Sequence, residues 1–564
     1  MQPIEDMLEA IAGAAGMQAR EVEELLEIPP KPEMGHFALP CFALAKKLRK
    51  APPAIAEELA RGVKPGGVIR QAVATGPYLN IFLDPGEYNR RVIEAIAEQG
   101  DEYGGGHDGD GKTVCLDFSH PNIAKPFSVG HLPTTMIGNA LANLYEALGW
   151  KTVRINHLGD WGTQFGKLIV AFRRWGSEED LGHDAIAHLL ALYVRFHAEG
   201  EKDPGLEEEA RAAFRALEEG DPPNRELWQR FRDLSLDEFM RSYERLGVRF
   251  DSFHGEEFHQ RRADQLLKQL AAKGLTQKSE GAVIVDLSED DMPPCLLRKS
   301  DEGTLYATRD LAAAIWRKDE YDFDRMLYVV DARQALHFRQ VFRVLEMAGY
   351  DWVDRMVHVP FGLVNFRGVK MSTRKGHVVL LADVLQRAVD LTNSVIAEKN
   401  PDLPDAESIA EKVGVGAVVF AILSVGRIKN TTFSYEQILD FDGRTGPYVQ
   451  YTHVRCRGIL DKYGQCPPAA SHAGALAEED ELLICRRLAD LPEMLRRAAD
   501  DYEPSQIANY VLDLCESFNS YYHTHRVIGD DEAVTAGRIC LVDAVRVVIA
   551  RCLAILGVAA PPRM

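Results

Sequence analysis

The first hundred residues mix short helical and extended patterns. Apolar positions recur every three or four residues over 4–15, 42–48 and 53–61, the spacing of one buried helix face, and residues 76–83 (GPYLNIFL) read as an extended segment. A glycine-rich stretch at 103–111 reads as the linker to the next unit. From about 112 to 385 apolar runs alternate with longer periodic segments: strands are expected at 113–118, 152–155, 326–330 and 356–364, and helices after His131 and over 338–347. Such alternation predicts a parallel sheet with helices on both faces. A charged, helix-rich segment from about 170 to 295 interrupts the alternation and reads as an insertion. Beyond 400, periodic apolar spacing over 413–423, 448–460, 482–495, 507–518 and 541–556 predicts a helical bundle. The expected architecture is multidomain α/β: a small α+β domain at 1–105, a parallel-sheet domain at 112–385 carrying the insertion, and an all-α bundle at 400–564.

Composition narrows the class. A chain of 564 residues has room for three or four domains, and 46% hydrophobic residues with no apolar run near the ~20 residues a membrane helix needs describe a soluble protein. The start (MQPIED) lacks a basic, apolar signal region, so nothing directs export. Nine cysteines are scattered without a CxxC pair, which argues against a disulfide framework and against structural zinc, and points to a reducing cytoplasm. The net charge of −20 weighs against a broadly basic nucleic-acid surface. Local clusters at 46–50 (KKLRK), Arg455 with Arg457, and Arg496 with Arg497 still offer basic patches, while the acidic remainder limits non-specific binding. Each cluster also has the look of a solvated helix face.

The candidate chemistry lies in two segments. The first, SHPNIAKPFSVGH (119–131), sits between the apolar run 114–118 and a periodic run with Met136, Ile137, Ala140, Leu141, Leu144 and Leu148, so it reads as strand, turn, helix. Backbone N–H groups at that helix start face phosphate. Gly130 lets a nucleotide ring approach the backbone, and His131 can donate to a phosphoryl oxygen without a permanent charge. The second segment, with Lys370, Met371, Ser372, Thr373 and Arg374, offers a lysine and two hydroxyls suited to a loop that closes on a pyrophosphate leaving group. Singly, each has the look of an ordinary turn or a solvated loop. Their order, with strand and helix patterns between them, makes them the halves of an ATP site that activates a carboxylate by adenylation.

These segments resemble the HIGH and KMSKS motifs of class I aminoacyl-tRNA synthetases. Four blocks, DFSHPNIAKP (117–126), NHLGDWGTQFG (156–166), KSDEGTLYATRD (299–310) and KMSTRKG (370–376), resemble the arginyl-tRNA synthetase family in that order, and the likeness runs nearly end to end. The resemblance implies a Rossmann-like catalytic domain, an insertion like the family's connective polypeptide, an N-terminal domain that contacts the tRNA elbow near its D-loop, and a C-terminal bundle that reads the anticodon. The implied substrates are ATP with Mg²⁺ bridging its phosphates, L-arginine and tRNA(Arg). No membrane or DNA partner is implied, and a monomer is expected.

Residue by residue, the resemblance assigns Lys125, Ser128, Gly130, His131, Lys370, Met371, Ser372 and Thr373 to the adenylation chemistry. It assigns Asp117, Asn122, His131, Tyr306, Asp310 and Gln334 to arginine. Asp310 suits a planar cation, because a carboxylate can take a guanidinium through two parallel hydrogen bonds. It follows Tyr306 by four residues, which puts both on one helix face. The competing arrangement pairs Asp310 internally with Arg309 or Lys299 and packs Tyr306 in the core. In GPYVQYTHVRCR (446–457), Tyr448, Tyr451, His453 and Arg455 have the stacking and charge that splayed single-stranded bases need, although an aromatic stripe is also a common core pattern.

The sequence departs from the family at several points. Ser128 replaces the first histidine of HIGH, Asp117 stands where family members often carry glutamate, and Pro133 stands at a common arginine position. The second motif ends Thr373-Arg374, with Lys125 implied as the substitute for its missing lysine. Two other readings compete with a working synthetase. One is a non-catalytic tRNA-binding paralogue, and the other is an ATP-dependent ligase acting on a small molecule without RNA.

Overall fold

The computed structural model describes residues 3–299, 306–366 and 379–564. The N-terminal unit is a three-stranded antiparallel sheet, β1 (Phe37–Pro40), β2 (Ile69–Thr75) and β3 (Tyr78–Leu83), in the order β1-β3-β2, with helix Pro52–Gly62 packed on it and helix Glu5–Ala15 against that helix. Gly76 turns the β2–β3 hairpin with a φ of 58°, a conformation glycine adopts without a Cβ penalty. Asp84 then caps helix Pro85–Gln99, its side chain accepting from the Glu87 N–H at 2.9 Å.

The stretch 103–111 is no loose linker. Tyr103 donates its hydroxyl to the Leu488 carbonyl at 3.1 Å, and Asp108 pairs with Arg496 at 3.0 Å. A Cβ at Gly109 would overlap the Trp150 ring. Glycine serves close approach there, and the segment is clamped between the sheet domain and the C-terminal helices.

The next strands, β4 (Thr113–Asp117) and β5 (Lys151–Ile155), pair in parallel around helix Leu132–Ala147. The chain then leaves the sheet for the insertion, a set of helices that includes Pro222–Leu246 and Glu256–Ala272. The insertion ends in a three-stranded antiparallel sheet, β6 (Gln277–Ser279), β7 (Ala282–Val285) and β8 (Cys295–Arg298), which the helix-rich reading of 170–295 missed. These strands are three or four residues long, too short for periodicity to stand out against charged neighbours.

The chain returns through helix Tyr306–Tyr321 to β9 (Arg325–Asp331), helix Ala335–Met347 and β10 (Met356–Phe361). All four strands run parallel in the order β10-β9-β4-β5, so the topological switch lies between β4 and β9. Alternate residues feed two cores. Val114, Leu116, Leu327 and Val329 join the layer of helix Leu132–Ala147, and Cys115, Met326 and Tyr328 join the layer of helices Tyr306–Tyr321 and Ala335–Met347. Both faces are covered, which is why these strands read as unbroken apolar runs.

The strand expected over 356–364 is two strands. β10 stops at Phe361, and β11 (Val364–Phe366) pairs in parallel with β12 (Thr431–Phe433). Gly362 breaks the run, because its N–H donates to the Arg427 carbonyl and a Cβ there would press on the Ile428 and Lys429 carbonyls. The bundle helix expected over 482–495 is likewise two, Glu479–Ala489 and Leu491–Asp500. Pro492 has no N–H to continue a helix and is tolerated only in a first turn. No helix among the described residues is long and apolar enough to cross a membrane, and all nine cysteines are free.

Helix Leu132–Ala147 is buried through most of its length, and Gly138 lets the Phe118 ring lie directly on it. Gly138→Ala forces that ring or the helix to move, an overpacking cost of about 1–3 kcal/mol. A lower thermal unfolding temperature with unchanged far-UV helix content is the expected result.

Candidate active site

The carboxyl ends of β4, β5 and β9 surround the site. Asp117 closes β4, buried, with both oxygens engaged. One accepts from Arg317 Nη1 at 2.8 Å, and the other meets His120 Nε2 at 2.8 Å. Burial alone would raise the Asp117 carboxyl, but the Arg317 charge and His120 outweigh it and hold the group far below the usual carboxylate range. Arg317 is 1% exposed, lies over the Tyr328 ring at 5.6 Å, and donates Nη2 to His157 Nδ1 at 3.2 Å. His157 stacks on buried His259 with centroids 5.5 Å apart.

After Asp117 the backbone is strained. Ser119 (φ 81°), His120 (φ 53°) and Ala124 (φ 59°) are all left-handed without being glycine, at roughly 1–3 kcal/mol each. Buried hydroxyls hold Ser119 and Ala124 there. Thr134 Oγ1 accepts from the Ser119 N–H at 3.0 Å, and Ser119 Oγ lies 2.7 Å from the Tyr243 hydroxyl. Ser235 Oγ accepts from the Ala124 N–H at 2.8 Å. Tyr243 and Ser235 belong to insertion helix Pro222–Leu246, so the insertion shapes the turn. Asn122 is bridged to Gly159 of the NHLGDWG block, and its side chain occupies the space a Gly159 Cβ would need.

The turn ends in a single 3₁₀ turn, Val129–His131, before helix Leu132–Ala147. The Ser128 N–H donates to His131 Nδ1 at 3.1 Å, and Ser128 Oγ lies 3.2 Å from the same nitrogen. The Ser128 carbonyl also lies 3.2 Å from Nδ1, but the N–H donation is the shorter contact, which makes Nδ1 the acceptor and leaves the proton of the neutral ring on Nε2. The ring stacks on Phe127 at 5.0 Å, and burial lowers its pKa to about 4. Gly130 is exposed, and a Cβ on it would meet only Ser128 Oγ at ordinary distance. Lys125 lies over the insertion's Tyr193 ring at 5.6 Å.

Lys370, Met371, Ser372 and Thr373 lie outside the described residues. Their downstream flank returns to the first motif: the Val129 N–H donates to the Val379 carbonyl at 3.1 Å, and the Leu381 N–H to the Phe127 carbonyl at 3.0 Å.

Helix Tyr306–Tyr321 presents Tyr306, Asp310 and Arg317 at i, i+4 and i+11, a single face. Tyr306 is 62% exposed, out of the core. Asp310 pairs with neither Arg309 nor Lys299. Its Oδ2 meets His337 Nε2 at 2.6 Å, while buried Arg309 lies 3.7 Å from Glu256. Burial pushes the Asp310 carboxyl up, but the His337 hydrogen bond and charge bring it below its usual range. Gln334, exposed in the short 3₁₀ turn that follows β9, stands three residues from His337.

In the C-terminal bundle, Arg455 lies between the rings of Tyr451 (5.0 Å) and Tyr522 (5.3 Å) and bonds Asn519. Tyr451 is exposed, while Tyr448 is half-buried with its hydroxyl on Asn519 at 3.0 Å. His453 is 3% exposed, with Nδ1 facing the Pro561 carbonyl at 3.2 Å. It faces the core, so it is set aside as an RNA contact, and Tyr522 joins the exposed cluster in its place.

Family models match the whole layout. Residues 2–83 match the arginyl tRNA synthetase N terminal domain, 92–435 the catalytic domain of class I (R) tRNA synthetases, and 449–564 the DALR anticodon binding domain. The chain is also 49% identical over 543 residues to the arginine–tRNA ligase of Clostridium beijerinckii, covering 96% of each. The chain belongs to the arginyl-tRNA synthetase family. Its fold is similar to that of arginyl-tRNA synthetase from Thermus thermophilus, with a TM-score of 0.81, 27% identity and 99% of each chain covered. It is also similar to the enzyme from Plasmodium falciparum, with a TM-score of 0.79, 20% identity and full coverage of both chains.

Set within an arginyl-tRNA synthetase fold, several positions emerge that the sequence reading did not single out: Arg317, His157, His337, Tyr243 and Tyr522. Arg317 was within reach, since it continues the Tyr306–Asp310 face at helical spacing. Tyr243 was not, because its contact with Ser119 spans 124 residues.

Removing one partner of a buried ion pair leaves the other uncompensated, at about 3–5 kcal/mol. Arg317→Met is expected to lower stability by that order in urea unfolding, and the double variant Asp117→Asn/Arg317→Met by clearly less.

The pH response follows from the same groups. His131 and His157, each held near 4 by burial, resist protonation in the fold but accept it at about 6.5 when unfolded. Their contribution is full above pH 6.5 and declines as pH falls towards 4. The Asp117 contribution is lost only below the ordinary carboxylate pKa. Buried Asp160 and Glu256, raised by burial to about 6 and about 8, pull the other way as pH falls, so the histidine share is read by comparison: between pH 6.5 and 4 the urea midpoint of His157→Gln should fall less, or rise more, than that of the wild type.

Proposed function

We propose that the chain attaches L-arginine to tRNA(Arg) through an arginyl-adenylate. One observation carries this reading. A carboxylate with one oxygen held by His337 and the other without a hydrogen-bond partner among the described residues, Asp310, shares a helix face with exposed Tyr306, on the helix whose Arg317 pairs with Asp117 at the carboxyl end of β4. That arrangement supports recognition of a guanidinium by Asp310, with Tyr306 and Gln334 completing its surroundings. Asn122 and His131 serve the α-amino and carboxylate end. Asp117 is already paired with Arg317 and His120, which supports a role in shaping that end through His120.

In the first step the arginine carboxylate attacks the α-phosphorus in line with departing pyrophosphate, and negative charge builds on phosphoryl oxygens. His131 donates from Nε2, fixed in that tautomer by the Ser128 N–H, and the helix start adds backbone donors. Ser128 thus supports activity where the HIGH motif has histidine. Lys125 and Lys370 neutralise charge on the leaving group, and the Ser372 and Thr373 hydroxyls donate hydrogen bonds to it. Mg²⁺ belongs to this reading as part of the ATP substrate, because the donors around the turn are N–H, hydroxyl and imidazole groups and the nearby Asp117 oxygens are taken. In the second step the terminal ribose hydroxyl of the tRNA attacks the adenylate carbonyl, releasing AMP.

Tyr451, Arg455, Tyr522 and half-buried Tyr448 form the base-stacking surface in this reading. The domain limits at 1–105, 112–385 and 400–564, a cytoplasmic location and a monomer belong to it as well, since one chain supplies every candidate group. A non-catalytic paralogue is less well supported, because the acid, the tyrosine and the oriented histidine are all in place.

The test is charging of a total tRNA pool with radiolabelled arginine, with lysine and citrulline as competitors. Arginine-specific charging should fall at least 100-fold in Asp310→Ala, while tRNA retention on a filter stays unchanged. Retention of tRNA with no charging by the wild-type chain would select the paralogue instead.

A further inference from the structure

We infer that Arg427 is a positioning residue that ties the base-stacking end of the C-terminal bundle to the strand leading into the Lys370 segment; this rests on the charging reading above. Arg427 lies between helix Ala406–Leu423 and β12, and its side chain is 15% exposed. Its guanidinium bonds two separate parts of the molecule. Nη1 donates to the Pro360 carbonyl near the end of β10 at 2.7 Å, and Nε donates to the Tyr502 carbonyl at 3.1 Å. Its own N–H donates to the Glu503 carboxylate at 3.2 and 3.3 Å, and its carbonyl accepts from the Gly362 N–H at 2.8 Å. A planar fork reaching two fixed carbonyls holds both at a set separation, which a single ammonium cannot do.

On the catalytic side the connection is carried by one side-chain amide and the backbone. The Leu363 N–H donates to Asn430 Oδ1 at 2.8 Å, the Thr431 N–H donates to the Leu363 carbonyl at 2.9 Å, and β11 then pairs with β12. Lys370 follows Phe366, the last residue of β11, by four positions. Gly362 leaves no slack at this junction, since a Cβ would press on the neighbouring carbonyls. A shift of the 502–503 turn therefore moves residues 360–366 with it.

On the bundle side the same turn begins helix Ser505–Thr524, 20 residues and so about 30 Å long. Glu503 also accepts from Ser505 Oγ at 2.9 Å, which fixes the helix start. Arg444 grips the middle through Asp513 at 2.9 Å and Glu516 at 2.7 Å. The far end carries Asn519 and Tyr522, which hold Arg455 against Tyr451. A base stacking on that cluster acts on one end of a rod whose other end is fixed to Arg427. Tyr502, left-handed at φ 53° with its ring over Arg325 at 5.7 Å, makes the turn a strained joint held by its neighbours.

The test is a coupling cycle between protein and tRNA. Steady-state charging is measured for wild type, Arg427→Lys and Glu503→Gln, each with native tRNA and with tRNA carrying one replaced anticodon base. In wild type the replacement lowers kcat. In Arg427→Lys that fold-loss should shrink at least fivefold, with a smaller reduction in Glu503→Gln, which carries the test if the lysine variant does not fold. A merely structural brace would lower kcat equally on both tRNAs. The same fold-loss in every folded enzyme, or a wild-type loss confined to KM, overturns the inference and leaves the charging reading intact. Absence of arginine charging by wild type overturns both.

Discussion

The site is organised around one buried ion pair. Arg317 and Asp117 lie at 2.8 Å in the interior, where neither charge has bulk water around it, and a pair of that kind is weak evidence for stability in its own right. Its value is positional. Asp117 ends the central strand, and Arg317 sits on the helix that carries Tyr306 and Asp310. The pair fixes how that helix is rotated over the sheet, and so where Asp310 points. Tyr328 beneath the guanidinium and His157 at its edge help satisfy the buried charge. An apolar pair of the same volume could match its stability yet would leave the helix free to rotate or slide.

The second constraint is the left-handed backbone at Ser119, His120 and Ala124, which aims His120 at Asp117 and brings the chain round to Gly130 and His131. The compensating hydroxyls come from helices Leu132–Ala147 and Pro222–Leu246. The insertion is thus more than an ornament on the sheet. Its Tyr243 also accepts from Asn156 at 2.9 Å, so one phenol joins the two blocks DFSHPNIAKP and NHLGDWGTQFG, which are far apart in sequence.

Elements with one strong period were legible in the sequence: the four central strands, the helix after His131 and most of the bundle. The errors have local physical causes. Gly362 ends a strand because a neighbouring turn needs its N–H and its missing side chain, and Pro492 divides a helix whose apolar spacing continues across it. The short strands β6 to β8 carry too few residues to show alternation. Within the site, residues on one turn or one helix face could be read directly, as with Ser128 and His131 or Tyr306 and Asp310. Partners supplied by other elements could not, as with Tyr243 on Ser119 and His337 on Asp310. His453 was misplaced because an aromatic stripe marks a core face as readily as an exposed one.

In the charging reading proposed above, selectivity for a guanidinium would rest on Asp310, whose second oxygen has no hydrogen-bond partner among the described residues. With His337 holding Oδ2 at 2.6 Å, the carboxylate cannot rotate freely, so its remaining lone pairs have a fixed direction. A planar fork can meet a fixed acceptor beside an exposed tyrosine, whereas an ammonium offers a single point and a shorter reach. A neutral isostere such as citrulline would leave the carboxylate without its counter-charge, and sites that bury unpaired polar groups reject such analogues by 10⁴ or more. On that reading, discrimination on such a scale at the binding step would leave no need of a separate editing site.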